Sequence, residues 1–366
     1  MNLKSTLLAV ALVPALATTA LAQDVPKTQF NVVGSIGILS MYKDMEAPFW
    51  TKSVVESSGG AITAKIKPFN ELGFKGGELF NLVSQGTVQM AHQVMAYTSG
   101  SVPTNEAADL VGVVGSVDEL HKVAKAFRPY HAKYLEEKHG VKLLGYGTYQ
   151  SQVIYCRDEF KSIADLKGRK VRASGASQQV FIKHLGGSPI GLSFGEVPTA
   201  MANGVVDCAI TGALSGFLAK WHEPANYISP LPINHGVIAH IANMDWWNSV
   251  DEADQEIISS GLMELEGKMF ALATTETADG ISCNTGGDCP YGDAADMTLV
   301  PVTDADIALR NEAANAAVLP AYKERCGDAC AAAWNETIGA ASGFVSFWSF
   351  LAICTSSFAS ADAARS

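Results

Sequence analysis

The chain is short of positive charge. It carries 26 Lys and Arg against 37 Asp and Glu, a net charge of −11 at pH 7. That balance disfavours nucleic acid and anionic membrane surfaces as partners. It leaves room for a small anion, because a buried arginine or a helix N-terminus acts locally. Long apolar runs are also missing. Leu7–Ala20 near the start and Phe344–Cys354 near the end are both too short to span a bilayer. Hydrolytic signatures fail as well. Gly212-Ala-Leu-Ser-Gly is misspaced for a Gly-x-Ser-x-Gly elbow, and His222-Glu223 lacks a second histidine four residues after the first. Neither a serine nucleophile nor zinc-peptidase chemistry is supported, no enzyme is expected, and no metal or cofactor is required.

What is present is a chain of 366 residues with 48% hydrophobic content, enough to bury a large core in two lobes. Residues 1–22 have the form of a secretory signal: Lys4, an apolar run, then Ala20-Leu21-Ala22 before Gln23. No cysteine stands at that cleavage point, so a free periplasmic protein is expected. Seven cysteines agree with an oxidising compartment. Cys283 with Cys289, and Cys326 with Cys330, each read as a local disulfide; zinc is the rival, but no histidine lies near either pair. Cys156 and Cys208 fall on separate strands and read as buried thiols, with a bridge as the alternative.

The most informative stretch is 161–211. Three short apolar runs (Lys170–Ala173, Pro189–Leu192, Val205–Ile210) alternate with two helix-like segments, Ala176–Leu185 and Glu196–Asn203. Gly-Gly or Asn-Gly stands at each helix end, and Pro189 follows the first stop. Strands alternating with helices of about ten residues predict parallel βαβ units, an α/β architecture that binds ligands at the carboxyl ends of its strands. Arg172 lies near one such end, in Lys-Val-Arg-Ala followed by Ser-Gly-Ala-Ser. Its planar fork suits a carboxylate; a surface arginine paired with a nearby acid is the alternative.

The order of features resembles a known family. An Asp-Leu-Lys-Gly turn leads into Lys-Val-Arg, then Leu-Gly-Gly-Ser-Pro, then Phe-Gly-Glu-Val, then Ala-Met-Ala-Asn-Gly-Val-Val-Asp. This succession is similar to the DctP-type solute-binding proteins of TRAP (tripartite ATP-independent periplasmic) transporters, and the likeness continues from about Phe30 to Gly339. The resemblance implies a two-lobed periplasmic binding protein fold of α/β class, with a long helix spanning both lobes. It also implies a small organic carboxylate as ligand, membrane permease subunits as partners, and a monomer; a sensory protein that presents its ligand to a membrane receptor is the alternative.

Carried over residue by residue, the resemblance makes Arg172 the carboxylate clamp. Thr211 stands where relatives often have an amide, and Phe194 where an aromatic covers the ligand; simple core is the other reading of Phe194. Ser35, His92, Gln93 and Tyr149 are first-lobe and crossing candidates. Tyr149 replaces a second arginine of many relatives, which favours a monocarboxylate, aromatic or hydroxylated, over dicarboxylates and sugar acids. The expected division is lobe I over 23–146 plus 237–276, lobe II over 147–236 plus 277–340, and a tail over 341–366. A helix is expected over Met41–Glu56, another over Glu119–Lys138 opened by Ser116, and a long one over Ala253–Thr275.

Overall fold

The computed structural model describes residues 27–344; the expected leader and the tail beyond Phe344 lie outside the described residues. Two sheets organise the chain. The first, ordered β2-β1-β3-β10-β4, contains β1 (Thr28–Gly34), β2 (Ile62–Pro68), β3 (Met90–Val94), β4 (Val141–Thr148) and β10 (Val237–Asn243). The second, ordered β11-β9-β5-β8-β6-β7, contains β5 (Gln152–Cys156), β6 (Lys170–Ala173), β7 (Ser188–Gly191), β8 (Cys208–Gly212), β9 (Tyr227–Asn234) and β11 (Thr298–Leu299). β6 runs parallel to β7 and β8, as the βαβ reading requires. β5 and β10 are antiparallel insertions beside the parallel strands. The fold is α/β and two-lobed.

The principal helices are α1 (Val117–His139), α2 (Ala176–His184), α3 (Val197–Ala202), α4 (Ala213–Leu218) and α5 (Glu252–Asn284). α1 is capped by Ser116, whose hydroxyl accepts the Glu119 N–H at 3.2 Å. β8 starts three residues later than the apolar run predicts. The Val205 N–H still bonds back to Ala200 O at 2.8 Å, so this residue finishes the helix turn before the strand can begin. Residues 41–57 are helical as expected, but two π-helical stretches, Met41–Glu46 and Phe49–Ser53, flank Pro48. Proline has no N–H to give the preceding turn, and a widened turn absorbs that loss.

The chain passes from the first sheet to the second between Thr148 and Gln152, and returns between Asn234 and Val237. Gly236, at φ 105°, allows the return to turn sharply. Asp109 fastens this return: Oδ1 accepts the His235 N–H at 2.7 Å, and Oδ2 accepts the Gly236 N–H at 2.7 Å and Asn234 Nδ2 at 2.9 Å. Burial pushes the Asp109 carboxyl up to about 7.

α5 lies against β4 of the first lobe and α4 of the second, so it spans both. It runs nine residues beyond the expected stop at Thr275. Asp279-Gly280 resembles a helix end, but Gly280 has another task. A Cβ there would meet the Leu214 backbone nitrogen at 2.2 Å, so its absence is what lets α5 touch the backbone of α4. The closing helices reach both lobes. Residues 314–318 pack on α2, while Trp334, in the stretch 277–340 expected in the second lobe, donates to Ala107 O at 2.8 Å on the first.

Two cysteine readings change. Cys156 and Cys208 face each other across β5 and β8 and are bridged. Cys283–Cys289 is bridged as expected. Cys326 and Cys330 are thiols, not a disulfide. Gly327, at φ 81°, breaks the chain between the helix Leu319–Cys326 and the helix Asp328–Trp334. Cys330 turns inward to the Tyr322 hydroxyl at 3.2 Å, while Cys326 sits by Gly327 O.

Candidate functional site

A narrow cavity lies between the lobes. The second lobe supplies Arg172 within β6, Ser174 just after it, Phe194, and Thr211 at the end of β8. The first supplies Ile36 and Leu39 after β1, Val94 at the end of β3, and Ala96 and Tyr97 after it. Tyr149 and Gly236 enter from the two crossings. In both lobes the lining follows the carboxyl ends of parallel strands, where main-chain pairing stops and side chains turn toward the opening.

Arg172 is 1% exposed yet is paired with no carboxylate among the described residues. Nε donates to Leu192 O at 3.1 Å and Nη1 to Ile210 O at 2.7 Å. Its guanidinium carbon stands 5.6 Å from the centroid of the Trp221 ring. These contacts hold the fork without neutralising it. Burial lowers its pKa from the usual value, and the nearby Tyr97 hydroxyl partly offsets that. A buried, preorganised cation with no protein counter-ion is costly on its own, and an incoming carboxylate relieves the cost.

The other expected residues divide. Thr211, Phe194 and Tyr149 line the cavity with Arg172. Phe194 is both lining and core: its ring lies 5.3 Å from that of Trp221. Tyr149 is 4% exposed, and its hydroxyl lies beside Ser35 and the Ile36 backbone without a well-formed hydrogen bond. Ser35 is fully buried one residue before the lining Ile36, with its N–H on Glu46 Oε2 at 2.8 Å. Gln93 does not line the cavity; Nε2 is turned back to Val94 O at 2.7 Å. His92 is not at the cavity either. It accepts the Trp50 indole N–H on Nε2 at 2.7 Å, so its proton is on Nδ1, which faces His240 Nδ1 at 2.5 Å. Neighbours on one strand point to opposite faces, so His92 and Gln93 could not both have faced one cleft.

Tyr97, Trp221 and Glu46 were not anticipated. Tyr97 follows a strand end and was open to the rule that finds Arg172; Trp221 and Glu46 arrive only through tertiary packing. Across the cleft, Ala176 N–H donates to Ser99 Oγ at 2.9 Å and Ser177 N–H to Glu106 Oε2 at 2.9 Å, joining the start of α2 to the first lobe. Lys75 pairs with Glu196 at 3.2 Å on the rim. The lobes are therefore closed on one another. Among the described residues no three His, Cys, Asp or Glu side chains gather to hold a metal ion.

A model of bacterial extracellular solute-binding proteins, family 7 (DctP), matches residues 40–319. The chain belongs to this family. Within it, the family 7 protein is 26% identical over 183 residues to the Salmonella typhimurium protein YiiZ, which covers 49% of this chain. The chain spans 55% of the length of that curated relative. Its fold is shared with a TRAP periplasmic solute-binding protein from Desulfovibrio salexigens with bound orotic acid: TM-score 0.76, 20% identity, covering 86% of this chain and 98% of that one. DctP7, a Bordetella pertussis extracytoplasmic solute receptor binding pyroglutamic acid, superposes with a TM-score of 0.73 at 19% identity, covering 85% of this chain and 99% of that one. The family and these neighbours are solute-binding receptors, not enzymes. Among the described residues of this family 7 protein, no helix is long and apolar enough to cross a membrane.

Proposed function

We propose that this chain is the periplasmic receptor of a TRAP transporter, that it captures a small organic monocarboxylate on Arg172, and that it delivers the acid to the membrane permease. The observation that carries the reading is the buried guanidinium: 1% exposed, aimed at an inter-lobe cavity, and without a carboxylate partner among the described residues. Closure of lobe I (23–146 and 237–276) on lobe II (147–236 and most of 277–340) dehydrates the ion pair and strengthens it. Thr211 offers a hydroxyl to the ligand, while Phe194 and Tyr149 wall its body.

Among the described residues Arg172 is the one cation lining the cavity, which favours a single carboxylate over two. The Desulfovibrio and Bordetella proteins, with orotic and pyroglutamic acid, each hold a ring that carries one acid group. A thermal-shift screen over monocarboxylates, dicarboxylates and sugar acids tests the proposal. A true ligand at a hundred times its Kd adds about 2.7 kcal/mol of stability. If no organic acid stabilises the protein, or if only dicarboxylates do, the reading is wrong.

A further inference from the structure

Behind Tyr149 lies a buried acid with no charge partner. Glu46, on the first helical stretch, is fully buried. Oε2 accepts the Ser35 N–H at 2.8 Å, while Oε1 has no partner. No lysine, arginine or histidine among the described residues offsets its charge. A lone carboxylate there is costly, so the group stays protonated, and burial pushes it up to about 8. Because Oε2 already accepts, the proton belongs on Oε1, the atom without a partner. Ser35 Oγ and the Tyr149 hydroxyl adjoin it, side by side and without a well-formed hydrogen bond of their own. Three buried, uncharged groups with unspent hydrogen-bonding capacity thus meet on the first-lobe side of the cavity, and Tyr149 presents them to it.

We infer that Tyr149, with Ser35 and Glu46 behind it, is a second and neutral anchor of the site, one that takes a hydroxyl, keto or amide oxygen of the ligand. This rests on the reading of Arg172 as the carboxylate clamp. Unsatisfied buried hydroxyls are costly to leave unpaired, and a ligand oxygen completes them. A second carboxylate is disfavoured there, because hydrogen-bond donors without a cation do not offset a full buried charge. The ligand class narrows to monocarboxylates bearing one further uncharged oxygen.

Matched pairs test this by calorimetry: lactate against propionate, pyroglutamate against cyclopentanecarboxylate, 4-hydroxybenzoate against benzoate, with malonate and succinate as dicarboxylates. At least one oxygenated acid should bind tenfold or more tightly than its deoxy partner, and Tyr149→Phe should shrink that ratio toward one. Affinity should fall about tenfold from pH 7 to 9 as Glu46 loses its proton, and Glu46→Gln, which cannot ionise, should remove the fall. The tyrosines facing Glu46 (Tyr42 on its own helix, Tyr149 from the crossing, and Tyr97 beyond it) have pKa values raised above 10 and stay silent there. Glu276 of α5 beside Ser40, and Asp109, are common to wild type and Glu46→Gln, so their titration cancels in the comparison, and Glu71 beyond Tyr42 is likewise the same in both. Equal affinity within every pair, an unchanged ratio in Tyr149→Phe, or a pH fall that persists in Glu46→Gln overturns the neutral anchor while leaving the clamp standing. If no acid binds, or if Arg172→Met leaves binding untouched, the clamp itself fails and this inference with it.

Discussion

Replacing Arg172 by methionine keeps an unbranched side chain and removes the charge, and its effects on stability and on binding should diverge. In the protein alone the guanidinium is 1% exposed and bonded only to neutral partners, Leu192 O at 3.1 Å and Ile210 O at 2.7 Å. Losing those bonds costs about 1–3 kcal/mol for each carbonyl left unpaired. Removing a buried charge that lacks a counter-ion returns a comparable amount. The two terms oppose, so unliganded stability should move by no more than about 2 kcal/mol. Binding has no such compensation. Deleting one partner of a buried charge pair costs about 2–5 kcal/mol, or roughly 30- to 5,000-fold in Kd. Arg172→Lys should also weaken binding, because an ammonium cannot supply two parallel bonds. Calorimetry with the acid that most stabilises the wild type gives Kd, and urea unfolding without ligand gives stability. The reasoning is refuted if Arg172→Met binds within threefold of wild type, or if it loses more than about 4 kcal/mol of unliganded stability, which would make the residue a structural one.

Gly175 is extended, not left-handed, at φ −145°, but a Cβ there would stand 3.1 Å from Ala96 O across the cleft. Gly175→Val should hold the lobes apart at a cost of about 1–3 kcal/mol of closure, and small-angle scattering with ligand should show a wider particle than wild type; an identical profile would remove the contact from the closing mechanism. Glu46 and Asp109 have folded pKa values raised to about 8 and about 7. Their stabilising contribution is therefore complete below their unfolded values near 4, and it is lost as pH rises through 7 and 8, at up to about 1.4 kcal/mol per pH unit for each proton. The urea midpoint should drop between pH 6 and 9 and drop less in Glu46→Gln; a midpoint that rises with pH contradicts the sign. The Cys156–Cys208 bridge spans a sequence separation of 52 and Cys283–Cys289 one of 6. In the chain-entropy view, replacing the first pair by alanine should cost about 4 kcal/mol and the second about 2. Guanidinium unfolding that ranks them the other way would count against that account.

Local order in the chain determined a good deal. The alternation of short apolar runs with ten-residue helices, punctuated by Gly-Gly and Asn-Gly, is a local property, and the βαβ core around Arg172 follows it to within a few residues. Arg172 itself was legible because a strand end is a place readable from a short window. Cys283–Cys289 was legible for the same reason, since its partners are neighbours in sequence. Tertiary structure decided whatever depends on distant segments meeting. The register of β5 on β8 set Cys156 against Cys208, whereas Cys326 and Cys330, neighbours across the break at Gly327, stayed thiols. Close approach of α5 to α4 turned Gly280 from an apparent stop into a packing position. His92 was drawn into the core by Trp50 and His240, while Trp221 and Glu46 came up behind Arg172 and Tyr149 from residues far off in the chain. Hydrophobic period and turn chemistry act over a few residues and are written in them. Burial, and the loss of water that gives a buried charge or an unpaired hydroxyl its force, exist only once the chain has closed on itself.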